Sequence, residues 1–184
     1  MLKQPNQQTL AMLISPKINA AINEQIGSEF AASLQYVSIA SHFGAEGLSR
    51  LQARFLEQAG EERDHALKFV QYVVDAGGKV EIPAVPAPRG TFKSVEEAVR
   101  LSLDWEKTVT QQINKLMELA CKEADYITQN FLGWFLAEQL EEVSSMDNLL
   151  KLVQRLGEKN LVYLESHLAR EASPAKAGGQ TAAT

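Results

Sequence analysis

The chain has 184 residues, 45% apolar and 22% charged, with a net charge of −5. That length suits one domain with a sizeable core, and an acidic balance without a basic run argues against a nucleic-acid partner. Cys121 is the only cysteine, which excludes an internal disulfide and a thiolate zinc site and makes a reducing cytoplasm the expected setting.

In chain order, residues 1–15 read as an N-terminal extension. Its apolar run LAMLI, residues 10–14, is too short for a signal-peptide core, and nothing in the chain approaches a membrane span. Ser15-Pro16 pairs an N-cap residue with proline at the first helical position, so a first helix starts there and runs to about Phe43, ahead of Gly44 and Gly47. A second helix, ending near Ala76 before Gly77-Gly78, carries the stretch GEERDHALKF, residues 60–69. The proline-rich segment after it is irregular. Ser94, with Glu97 three residues on, reads as a capping box for a third helix reaching about Lys122. A fourth spans about Tyr126 to Leu156 and is closed by Gly157. A short fifth covers about Lys159 to Arg170, and residues 171–184 read as a disordered tail. The expected fold is therefore all-α: a four-helix bundle over residues 16–170, with a short fifth helix.

Counting in steps of three and four gives an inward stripe on each long helix. The first reads Ile22, Ile26, Glu29, Ser33, Tyr36, Ala40. The second runs through Phe55, Gln58, Glu62, His65 and Phe69. On the third lie Leu103, Glu106, Thr110 and Ile113, and on the fourth Phe135, Glu138, Glu142, Ser145 and Leu149. Each stripe carries a glutamate near its midpoint, and none carries Lys or Arg.

The midpoint of positions 29 and 62, and that of 106 and 142, each fall at a hairpin turn, so each pair of acids shares one height. The link over residues 78–93 is far longer than an adjacent antiparallel pair requires. Extended, it reaches roughly 50 Å, whereas the second helix is about 40 Å long. It can therefore cross the bundle lengthwise and set the second and third helices parallel. Four buried carboxylates beside one imidazole lack a neutralising partner on these stripes. Two divalent cations would balance them, and oxygen-rich ligation with one nitrogen suits iron or manganese.

The segments EFAASLQY (Glu29–Tyr36), GEERDHAL, the Trp105-Glu106 pair, QQINKL and NFLGWFLAEQLEEV resemble the bacterial non-haem ferritins, and the likeness covers roughly residues 16–170. The resemblance implies a ferritin-like bundle that oxidises Fe2+ with O2 or H2O2 and stores ferric mineral in a homo-oligomeric shell of 24 subunits. One iron would be held by Glu29, Glu62 and His65, and the second by Glu62, Glu106 and Glu142, with Gln139 nearby as ligand or hydrogen-bonding neighbour. A third iron position is implied at Glu61, Glu138, Glu141 and Glu142, and Tyr36 matches a redox-active tyrosine. No haem is expected. Arg63 stands where the haem-containing relatives have methionine, and Gln139 with Glu142 stands where they have a second Glu-x-x-His.

Two other readings use the same residues. A discrete di-iron oxidase acting on an organic substrate or peroxide would share the ligands but not the shell. A metal-free structural bundle is opposed by the unpaired buried acids.

Overall fold

The computed structural model describes residues 12–171. Residues 1–11 of the expected extension and residues 172–184 of the expected tail lie outside the described residues. Four long helices follow one another: α1 (Pro16–Ala45), α2 (Ser49–Asp75), α3 (Val95–Lys122) and α4 (Tyr126–Leu156). A 3-10 turn, Glu158–Asn160, leads into α5 (Leu161–Glu171), so the fifth helix opens with a tighter turn than the sequence suggests. None of the described residues forms a strand.

The helix starts have local causes. The Ser15 hydroxyl accepts the Ile18 amide at 3.1 Å, with Pro16 in the first turn. Ser94 accepts the Glu97 amide at 3.0 Å, but Glu97 does not complete the reciprocal half of a capping box. Its carboxylate takes the Lys93 amide at 2.6 Å instead. Asp125 caps α4 through the Thr128 amide at 2.9 Å. The start of α2 has no local side-chain cap. Glu165 of α5 supplies one, accepting the amides of Arg50 at 2.8 Å and Leu51 at 3.0 Å. Glu158 does the same for α3 through the Val95 and Glu96 amides. The fifth helix is thus fastened to the bundle end by two carboxylates and by the buried Leu164 and Leu168.

The segment between α2 and α3 travels along α1. Asn19 and Asn23 both donate to the Lys79 carbonyl, at 3.0 and 2.9 Å. Pro83 lies so close to Gly27 that no side chain fits at that position. Gln35 donates to the Arg89 carbonyl at 3.0 Å and accepts its amide at 2.8 Å. The contacts climb from the beginning of α1 to its far end, where the rings of Phe92 and His42 meet. So α3 starts beside the end of α1 and runs parallel to α2, the crossover topology that the loop length implies.

Burial corrects the stripe on α4. Gln139 and Met146 face the core there, while Glu138 and Ser145 are only half-buried. A strict three-four count follows one line of side chains, whereas a core-facing stripe is wider than that, so the neighbouring helices set its centre. The apolar interior splits into two clusters. One lies towards α5, around Ile39, Phe43, Phe55 and Leu149. The other lies towards the opposite end, around Ile22, Phe69, Ile113 and Leu132. Between them sits a polar layer.

Candidate metal centre

Each long helix sends one carboxylate into that layer. Glu62 and Glu106 have no exposed surface, Glu29 is 1% exposed and Glu142 6%. Large apolar side chains lie on both sides of the layer, so each acid loses its water, and among the described residues none of the four forms an ion pair with Lys or Arg. The i, i+3 spacing on α2 sets His65 Nδ1 3.5 Å from Glu62 Oε2 and 3.8 Å from Glu142 Oε1.

Three overlapping sets of possible ligand atoms lie within 4.8 Å of one another: Glu29, Glu62 and His65; Glu62, Glu106 and Glu142; and His65, Glu138 and Glu142. Glu62 belongs to the first two sets, which places it between two neighbouring positions. Glu61 and Glu141 are in none of them. Both are exposed and line an adjoining cavity of about 230 Å³ together with Glu138 and Glu142.

Side-chain amides and a hydroxyl hold one oxygen of Glu29, Glu62 and Glu106, and both oxygens of Glu142. Gln25 donates to Glu29 Oε1 at 2.9 Å. Gln58 donates to Glu62 Oε1 at 3.0 Å and to Glu142 Oε1 at 3.2 Å, tying α2 to α4. The Tyr36 hydroxyl donates to Glu106 Oε1, and Gln139 donates to Glu142 Oε2. Gln139 is itself fixed by Thr110, whose hydroxyl donates to its Oε1 at 2.9 Å. Meanwhile Oε2 of Glu29, Glu62 and Glu106 is buried with no hydrogen-bond partner. Unpartnered buried oxygens on three acids in one layer are costly, and a cation placed among them would satisfy all three.

The protonation balance says the same. Burial, with the charge of Glu62 added, raises Glu29 well above the usual carboxylate range. It pushes Glu106 up to about 8 and Glu142 up to about 11. Burial and the neighbouring Glu106 also raise the Tyr36 hydroxyl well above the usual phenol value. Without a metal the layer therefore holds protons at neutral pH, and cations binding there would displace them.

Aromatic rings close the layer on the His65 side. Trp134 meets the imidazole edge to face at 5.4 Å, and Lys68 Nζ sits 4.3 Å above the indole. The sequence reading missed Gln25, Gln58 as a tether, and Arg54. Gln25 and Gln58 each precede their acid by four residues, the spacing of a helical neighbour pair, so that signal was present. Arg54 lies off every stripe, yet its Nη2 reaches Ser145 Oγ, at 2.6 Å, in the cavity beside Glu142.

Residues 19–156 match the ferritin-like domain family. A ferritin, BfrB, of Mycobacterium tuberculosis is 44% identical over 169 residues, covering 91% of this chain and 93% of its own. The bacterial non-heme ferritin of Staphylococcus epidermidis is 36% identical, covering 85% of this chain and 96% of its own. Among solved structures, an open pore ferritin from the archaeon Archaeoglobus fulgidus superposes with a TM-score of 0.83 at 34% identity, covering 86% of this chain and 98% of that one. With this bundle and the carboxylate layer at its middle, the chain belongs to the ferritin family of iron-storage proteins.

Proposed function

We propose that the chain is a ferroxidase subunit that oxidises Fe2+ at the paired positions and stores the ferric product inside a homo-oligomeric shell of 24 subunits. The observation that carries this reading is the buried layer, shared with His65, in which Glu29, Glu62 and Glu106 each keep an unpartnered oxygen. Iron is the substrate. One Fe2+ would be held by Glu29, Glu62 and His65, the other by Glu62, Glu106 and Glu142, with Gln139 orienting Glu142. Each Fe2+ gives up one electron, and O2 takes both electrons with two protons to leave as hydrogen peroxide. The carboxylates favour the more highly charged product, which makes oxidation easier.

Tyr36 steadies Glu106 by donating to it, and its place in the layer makes it the candidate redox-active phenol. Glu61, Glu138 and Glu141, with Glu142, offer a third iron position in the adjoining cavity. Storage is favoured over a stand-alone oxidase by apolar side chains left exposed along α1, α2 and the crossover: Leu34, Val37, Leu56, Leu67, Val74 and Ile82. The test is aerobic Fe2+ oxidation at two Fe2+ per subunit, followed by absorbance, with size-exclusion chromatography on the same samples. A fast phase in the wild type that Glu62→Ala abolishes supports the reading. Equal rates in both would remove the layer from catalysis, and elution as a monomer or dimer would remove the shell.

A further inference from the structure

The cavity beside the paired positions holds a cation of the protein's own. Arg54 stands on α2 one turn before Gln58. Its Nη2 donates to the neutral hydroxyl of Ser145 at 2.6 Å, and its Nε is buried with no partner. The rest of the lining is strongly acidic, with Glu57, Glu61, Glu138, Glu141 and Glu142. The cavity is continuous with the paired centre in two ways. Gln58 lines it and donates to both Glu62 and Glu142, and Glu138 and Glu142 bring ligand atoms within 4.8 Å of His65. By charge and donor geometry this is a place for a divalent ion, apart from the guanidinium in its wall.

We propose that Arg54 is a specificity-determining residue that keeps this cavity from retaining a third divalent ion tightly. The inference rests on reading the paired centre as metal-binding. A fixed positive charge inside so small a space repels a doubly charged ion, while the acids around it still attract one from solution. The balance suits an ion in transit. The paired centre has no such opposing charge on its inward stripes and binds tightly. Held by Ser145 rather than by a carboxylate, the guanidinium leaves the acids free to receive the passing ion.

The experiment is a titration of metal-free, full-length protein with Zn2+, which does not undergo oxidation, followed by calorimetry and chelator competition. Wild type, R54M, R54Q and R54K are compared after helicity and oligomer size are checked. The wild type is expected to bind two ions per subunit tightly and a third at least about tenfold more weakly. R54M, and R54Q with a donor retained for Ser145, should strengthen the third step about tenfold or more and leave the first two unchanged. R54K should behave as the wild type, because it keeps the charge. A third step of equal affinity in the wild type and both neutral variants overturns the proposal. So does an R54K that matches R54M, because charge is then not the cause. Loss of the first two steps in Glu62→Gln, with the third still sensitive to Arg54, separates the two sites. A wild type with no tight ions at all defeats the paired-centre reading and this inference together.

Discussion

The side-chain amide of Gln25 donates to Oε1 of Glu29 at 2.9 Å, and Oε2 of the same buried carboxylate has no partner. One oxygen is thus committed and the other is presented to the layer. Hydrogen bonds that orient a ligand are commonly worth 10- to 100-fold in metal affinity. Gln25→Leu should therefore weaken the step involving Glu29, Glu62 and His65 by roughly tenfold, and leave the step involving Glu106 and Glu142 in place. Visible absorption during Co2+ titration resolves the two steps. A uniform shift in both, or none, would count against an orienting role for Gln25.

Glu62 raises its neighbours' affinity for protons: its charge contributes to the upward shifts of Glu29, Glu106 and Glu142. Glu62→Gln removes that repulsion and keeps an oxygen for Gln58. The metal-free variant should be more stable than the metal-free wild type by ~1–2 kcal/mol, which is a few degrees in Tm for a chain of this size. It should also lose the stabilisation that Zn2+ gives the wild type. Thermal denaturation with and without Zn2+ measures both effects, and a lower Tm without metal would show that Glu62 has a structural role instead.

Stability of the metal-free protein should fall as pH rises. Glu106 and Glu142 have folded values of about 8 and about 11, against 4.5 for an ordinary carboxyl. Folding therefore takes up protons, and the stabilising contribution is complete below about pH 4.5. It is lost as pH climbs to about 8 for Glu106, and goes on falling towards about 11 for Glu142. Each such group contributes a slope of up to about 1.4 kcal/mol per pH unit in its window. Tm after chelation should be higher at pH 5 than at pH 8. Bound Zn2+, which replaces those protons, should narrow or invert the difference.

Glu165 caps α2 from a helix more than a hundred residues away in sequence. Glu165→Ala should cost about 1–2 kcal/mol, the worth of an N-cap reinforced by a negative charge at a helix N-terminus. Zn2+ stoichiometry should not change, because the polar layer lies nearer the middle of the bundle. Chemical denaturation of Glu165→Ala beside Glu165→Gln separates the charge from the hydrogen bonds. An unchanged midpoint in both would mean that Leu164, Leu168 and the Glu158 contacts hold α5 without Glu165.

Periodicity and punctuation made most of the bundle legible. Ser15-Pro16, Ser94 and Gly157 mark helix ends through local backbone chemistry, and the carboxylates of Glu29, Glu62, Glu106 and Glu142 fall on stripes that would otherwise be apolar. The length of the link over residues 78–93 allowed the crossover, and the Asn19, Asn23 and Gln35 contacts with it carry that path along α1. The phase of α4 was less legible. Glu138, Gln139, Glu141 and Glu142 are nearly contiguous, and sequence spacing gives no ground for preferring Glu138 over Gln139 as the inward residue.

By itself, the sequence determined the local features: where helices start, which residues share a face, and that each face includes an acid. These depend on interactions within a turn or two. Only the tertiary structure decided which oxygens remain free, that Gln58 ties Glu62 to Glu142, that Glu158 and Glu165 cap helices they do not belong to, and that Arg54 reaches an acidic cavity from outside the core stripe. Each of these depends on the distance between side chains far apart in the chain. That distance is fixed when the helices pack, and no residue's own neighbours specify it.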